Sequence, residues 1–225
     1  MMTNDTMKYL FFICLPVWAF IAMKPVYAAD PSCQLIQNIP EFSSQVIIVR
    51  AENGIKAVIT ACQREGASWK AAFKPFKAVI GKKGLAALGK KREGDMKTPT
   101  GLYPLGDAFG TEPFALKMDY KYITPEDKFI DDASNPRYNT WVRGSTDAKS
   151  YETMLYGPYK MGLVVNYNMN PTISGAGSAI FIHLWKSADI GTYGCIAMDE
   201  AHLLALLKWL DKNQHPYIDI NRTAL

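Results

Sequence analysis

Two Val- and Ile-rich runs, Gln45 to Arg50 and Ile55 to Cys62, are separated by Asn53-Gly54 and constrain the fold more than any other feature. Asn-Gly between such runs is a hairpin signal, because the central residues of the tightest hairpin turns need positive φ. Gly66 punctuates the chain next, and the alternation of large and small residues from Trp69 to Ile80 suits a third strand. The chain therefore opens as a β-meander. Short strand patterns recur at Gly101 to Leu105, Leu163 to Tyr167 and Ala179 to Leu184. Between them, Asp107 to Tyr159 is rich in Pro, Asp and Tyr and reads as extended loops rather than packed helices.

One helix is clear. Asp199 can cap it, Glu200 suits its positive end, and Leu203, Leu206, Leu207 and Leu210 form an apolar stripe. Pro216 is its expected stop, and Tyr217 to Ile220 suits a closing strand. A chain of 225 residues, 48% of them hydrophobic, can bury one full-sized core. With no repeats or Ser/Gly linkers, this predicts one mainly β domain over residues 45–225, preceded by a segment at 29–44.

The first residues have the order of an export signal: Lys8, an apolar run from Tyr9 to Met23, then Val26-Tyr27-Ala28-Ala29. Cleavage after residue 28 is the expected outcome, and an uncleaved anchor is the alternative. A spanning helix needs about 20 apolar residues, whereas this run is shorter and contains Pro16. The expected location is the periplasm or cell envelope, with membrane contact only through the signal. Cys14 would leave with it, and Cys33, Cys62 and Cys195 would remain. An odd number in an oxidising compartment leaves one thiol without a partner. Cys33 and Cys62 can pair and leave Cys195 free; the alternative is that both are buried thiols.

The formal net charge is +4. Its densest groups, Lys82-Lys83 and Lys90-Lys91-Arg92, sit beside glycines and read as solvated turns rather than as a nucleic-acid surface. There is no C-x-x-C, no H-E-x-x-H and no clustered pair of histidines, so no metal site is expected. The absence of G-x-S-x-G argues against a serine hydrolase.

The segment Ser178 to Met198, SAIFIHLWKSADIGTYGCIAM, carries the chemistry. An alternating apolar strand delivers His183, and a polar loop returns to Thr192-Tyr193-Gly194-Cys195. Cysteine catalysis needs a thiolate, a nearby base and N–H donors for the oxyanion. Gly194 permits a sharp turn just before the thiol, which makes Thr192, Tyr193 and Gly194 the candidate oxyanion turn. His202 and His215 are poorer bases, one on the helix and one in the turn before Pro216.

The pattern of His183, a loop, then Thr192, Gly194 and Cys195 resembles the active-site signature of the L,D-transpeptidase catalytic domain, also called YkuD. Glu93 to Gly101, with its Gly94-Asp95 and Thr98-Pro99-Thr100-Gly101, is similar to a turn of that family. Asp131-Asp132, Tyr138-Asn139 and Gly175 to Phe181 resemble further segments of one branch, so the likeness runs from about Gln45 to Ile220. The resemblance implies a β-sandwich of mixed sheets with the helix packed behind the catalytic loop. It implies peptidoglycan tetrapeptide stems as partners and no cofactor. Cys195 would attack the carbonyl of the third, diamino residue and expel D-alanine, with His183 as acid–base partner. The acyl group would pass to another stem, to a wall-anchored lipoprotein or to water. A mildly basic surface suits such an anionic polymer.

The chain departs from the family pattern at Leu184, Tyr193 and Ala197. Many members have Arg or Asn at the last position, where Arg would suit a carboxylate clamp. Lys186 and Arg137 are the candidate substitutes, and Asp107 to Tyr159 is long enough to act as a lid. A hydrolase on the same scaffold, either an L,D-carboxypeptidase or an amidase releasing wall-bound protein, is the alternative reading. The turn residues Asp95, Thr98, Pro99 and Gly101 read as structural.

Overall fold

The computed structural model describes residues 31–34, 36 and 38–222. The expected signal at residues 1–28 and Cys14 lie outside the described residues, as does part of the 29–44 segment. Eight strands organise the fold: β1 (Gln45–Ala51), β2 (Lys56–Glu65), β3 (Phe76–Val79), β4 (Gly101–Gly110), β5 (Met161–Val165), β6 (Phe181–Leu184), β7 (Ile196–Met198) and β8 (Tyr217–Arg222). Their neighbours run β1-β8-β4-β5-β6-β7-β3-β2, and β2 pairs again with β1. The two sides of the expected sandwich are thus joined along both edges. The sheet is mixed: β1 with β8 and β6 with β7 are parallel, while the other ring pairs are antiparallel.

The opening hairpin turns at Asn53-Gly54, where Gly54 has φ +65°, and closes with the Glu52 N–H on the Lys56 carbonyl at 2.9 Å. Trp69 to Ile80 is two strands rather than one. Ser68–Ala71 pairs with the far end of β2, and β3 pairs with its near end. Pro75 lies in the break between them, where its missing N–H costs no ladder bond.

Alternation sorts the residues of β6 and β7 onto two faces. Ile180, Ile182, Ile196 and Met198 enter the central core with Ile47, Val49 and Ile59. The helix Glu200–Trp209 adds Leu203, Leu206 and Leu207 to the same core, joined by Leu210 just past its end, and the Asp199 side chain caps the helix by accepting the His202 N–H. This helix ends at Trp209, well before Pro216, because Leu210 turns extended. Asp211 then caps the short 3-10 turn Lys212–Gln214, and its own N–H is taken by Gln45 Oε1 at 2.8 Å. A tertiary contact ends the helix.

Phe181 and Cys195 lie on the opposite face, in a second cluster with Phe109, Phe129, Met154 and Tyr159. The excursion between β4 and β5 covers this face. Instead of loops alone, it holds Tyr120–Tyr122 beside β4 and a small sheet of Asp127–Ile130, Trp141–Arg143 and Tyr151–Thr153. Asp127 is its polar anchor: it is fully buried and accepts from Trp141 Nε1, Arg143 and Thr124. A third, small cluster of Val46, Ile48, Cys33 and Cys62 lies under the N-terminal segment. There a disulfide joins Cys33 to Cys62, with Cα atoms 5.8 Å apart. Among the described residues, no helix is long and apolar enough to cross a membrane.

Candidate active site

Cys195 sits just before β7, in a turn pinned from several sides. Gly194 has φ +153°, a conformation that L side chains rarely adopt, and a Cβ there would lie 3.2 Å from the Lys97 carbonyl. Thr192 Oγ1 accepts the Gly194 N–H at 3.1 Å and donates to the Cys195 carbonyl at 2.6 Å. Thr98, read from sequence as part of a structural turn, reaches the same carbonyl at 3.3 Å and accepts the Gly81 N–H. Thr192 and Gly194 therefore lock the turn, and the Gly194 N–H is already bonded. The adjacent Cys195 N–H is the candidate oxyanion donor.

On the parallel neighbours β6 and β7, His183 lies opposite Ala197, two residues beyond Cys195. Both side chains open onto one cavity of about 380 Å³. His183 is 8% exposed and Cys195 is 6% exposed. The thiol accepts the Phe181 N–H at 3.3 Å and donates to the Ala179 carbonyl at 3.2 Å, so it is not bonded to the imidazole in this state. His183 Nδ1 lies 2.8 Å from the Leu184 carbonyl. A carbonyl only accepts, so Nδ1 carries the proton and Nε2 keeps a lone pair. The backbone thus supplies the orienting group that no side chain in the sequence identified.

Burial lowers the imidazole to about 4, against the opposing Leu184 bond, and keeps it neutral at neutral pH. Burial pushes the thiol well up, as does the Glu152 carboxylate; the Phe181 N–H and the Lys91 ammonium pull it down. Burial on this scale favours the neutral thiol.

The other candidates fall in different places. Tyr193 is 70% exposed at the mouth, with Lys82 Nζ 4.0 Å from its ring centre. Lys186 also lines the cavity and lies 5.5 Å from the Tyr156 ring. Arg137 is not brought to the site: its guanidinium bonds Thr146 and Asp147 in the covering excursion. Lys91 is not the solvated charge its neighbours suggested. It is 4% exposed, and its Nζ donates to Asp95 Oδ1 and the Arg92 carbonyl, both at 2.8 Å. Asn139 and Asp132 are loop locks. Asn139 has φ +61°, donates to the Tyr167 and Asn168 carbonyls and accepts the Ala179 N–H. Asp132 binds Ser134 and the Lys149 N–H.

Three carboxylates on the cavity wall were not among the candidate site residues: Glu93 and Asp131, which lie in segments that resemble the family, and Glu152; nor was Tyr159. Tyr159 donates its hydroxyl to Glu152 and sets its ring 5.1 Å from the His183 ring, nearly perpendicular to it. Glu152 carries no local motif. The only signal for it lay in the excursion having been read as a possible lid.

Fold and site together define a mainly β domain with a buried cysteine and an oriented histidine facing one cleft. The family model described as the L,D-transpeptidase catalytic domain, YkuD, matches residues 46–218, and the chain belongs to that family. No curated protein matches it. Among solved structures it is similar to the helical cell shape determining protein Pgp2 from Campylobacter jejuni, at 18% identity and a TM-score of 0.42. That likeness covers 81% of this chain and 49% of the other, so the chain spans about half the length of that protein.

Proposed function

We propose that the protein is an exported L,D-transpeptidase that transfers acyl groups from peptidoglycan tetrapeptide stems through Cys195. Family membership supports chemistry on peptidoglycan. The observation that carries the finer reading is the pairing, in one cavity, of a buried thiol with an imidazole whose Nδ1 is fixed on the Leu184 carbonyl. His183 Nε2 takes the Sγ proton, and Sγ attacks the carbonyl of the third residue. The Cys195 N–H faces the oxyanion, and the imidazolium returns its proton to the departing D-alanine amine. An incoming amine then displaces the thiol by the reverse sequence.

Transfer is favoured over hydrolysis by the cover on the site. The excursion between β4 and β5 supplies Glu152, Tyr156 and Tyr159 to the cavity wall, and Tyr193 stands at the mouth. Such cover limits water at the acyl carbon. Residues 1–28 are the proposed export signal, and stem peptides of the cell envelope are the proposed partners. The test is incubation of purified protein with defined tetrapeptide muropeptides and an excess of a D-amino acid. Exchange of the terminal residue, or cross-linked dimers, supports transfer. Tripeptide alone assigns water as acceptor, and release only of wall-bound protein assigns an amidase.

A further inference from the structure

The cavity is electrically divided. Lys82 and Lys186 stand by the rings of Tyr193 and Tyr156, and Lys91 is paired with Asp95. Glu93, Asp131 and Glu152 share the same cavity, and none of the ion pairs among the described residues includes any of the three. Their hydrogen bonds leave acceptor capacity open. Glu93 takes the hydroxyls of Tyr138 and Ser178 on Oε2 and the Gly94 N–H on Oε1 at 3.2 Å, while Glu152 takes Tyr159 on one oxygen. Asp131 Oδ1 is buried without a hydrogen-bond partner among the described residues. The described residues contain no group of carboxylates, histidines and cysteines able to ligate a metal ion. An organic cation suits this wall better.

We propose that Glu152 is a specificity-determining residue. It receives a primary ammonium on the side chain of the acyl donor, and that pairing cancels a negative charge that opposes the Cys195 thiolate. The inference rests on the acyl-transfer reading above. Its geometry is the shared cavity, with Glu152 held by Tyr159, whose ring packs against His183. The groups acting on Cys195 are Glu152, Lys91, Tyr159 and the Phe181 N–H; those acting on Glu152 are Tyr159, Asp131 and Glu93. Burial and the two other carboxylates raise Glu152 to about 7, against the Tyr159 bond. An arriving cation would hold it ionised and balance its charge. A donor with a neutral side chain leaves that charge uncompensated beside the forming thiolate.

The experiment compares two tetrapeptide stems, one with the side-chain amine of the third residue free and one with it N-acetylated, on the wild type and on Glu152→Gln. The glutamine keeps an acceptor for Tyr159, and thermal melting checks its fold. Acetylation should lower kcat/KM about 30-fold in the wild type, the scale of one charged hydrogen bond, and about threefold or less in the variant. An equal penalty in both proteins overturns the inference. A second readout needs no stem: alkylation of Cys195 by iodoacetamide at pH 8, with cadaverine or with NaCl at matched ionic strength. Cadaverine should speed alkylation about threefold in the wild type and leave Glu152→Gln unchanged; no acceleration overturns the inference. A wild type inert on both stems defeats the transpeptidase reading, and the alkylation result then decides the role of Glu152 alone.

Discussion

The Thr192 hydroxyl donates to the Cys195 carbonyl at 2.6 Å, so the residue three before the proposed nucleophile holds that residue's own backbone. The same oxygen accepts the Gly194 N–H. This small ring fixes the backbone around Gly194, and it depends on one hydroxyl. Thr192→Val, which keeps shape but not hydrogen bonding, should lower kcat about 10- to 100-fold and destabilise the fold by about 1–3 kcal/mol. Thr192→Ser should restore most of both. Stem turnover and denaturant titration measure the two effects.

Cys195→Ala should abolish turnover and leave the melting temperature nearly unchanged, since a thiol and a methyl differ little in volume. A carbapenem should add once to the wild type and not to the variant, with the adduct mapped by digestion and mass spectrometry. Adduct elsewhere, or activity without the thiol, removes Cys195 from the mechanism.

His183→Ala should reduce kcat about 10²- to 10⁴-fold, the usual contribution of a positioned acid–base group. His202→Ala should cost far less, because His202 lies on the helix surface with Nδ1 on Asp199 and its ring stacked on Phe76. Comparable losses in the two variants would reject His183 as the base.

Asp127 links the covering sheet to pH. Burial raises its carboxyl, but donors from Arg143, Trp141 and Thr124 outweigh this and hold it at about 2, below its ordinary 3.8. The unfolded chain therefore takes up this proton first. The stabilisation is complete above about pH 4 and disappears as pH falls through 2. Asp127→Asn should lose about 1–3 kcal/mol at neutral pH, because the donors from Arg143, Trp141 and Thr124 lose their charged acceptor. It should also lose less stability than the wild type between pH 4 and 2. Parallel acid titrations of the two proteins by circular dichroism would expose any failure of this difference.

Reduction of the Cys33–Cys62 bridge should lower stability by about 3–4 kcal/mol on the chain-entropy account of a loop of about 30 residues. Non-reducing peptide mapping of protein made in an oxidising compartment checks the bond, and two free thiols there would reject it.

Local patterns determined much of this protein. The hairpin at Asn53-Gly54, the strand delivering His183, the Asp199 cap and the leucine stripe each depend on residues within a few positions of one another. The same local reading marked Cys195, His183 and the Thr192 to Gly194 turn as candidates. Closure of the strand ring was decided only by tertiary structure. It depends on β1 pairing both with β2 and with β8 some 170 residues away, and no local propensity encodes that choice. The electrical character of the cavity was decided the same way. Lys91 and Arg137 look alike as charges in sequence, yet one is buried against Asp95 on the wall of the Cys195 cavity while Thr146 and Asp147 hold the other in the covering excursion. Glu152 faces Cys195's cavity because an excursion of about 50 residues folds back over the sheet. A charge's effect depends on its distance and burial in space, and sequence spacing sets neither across such a loop.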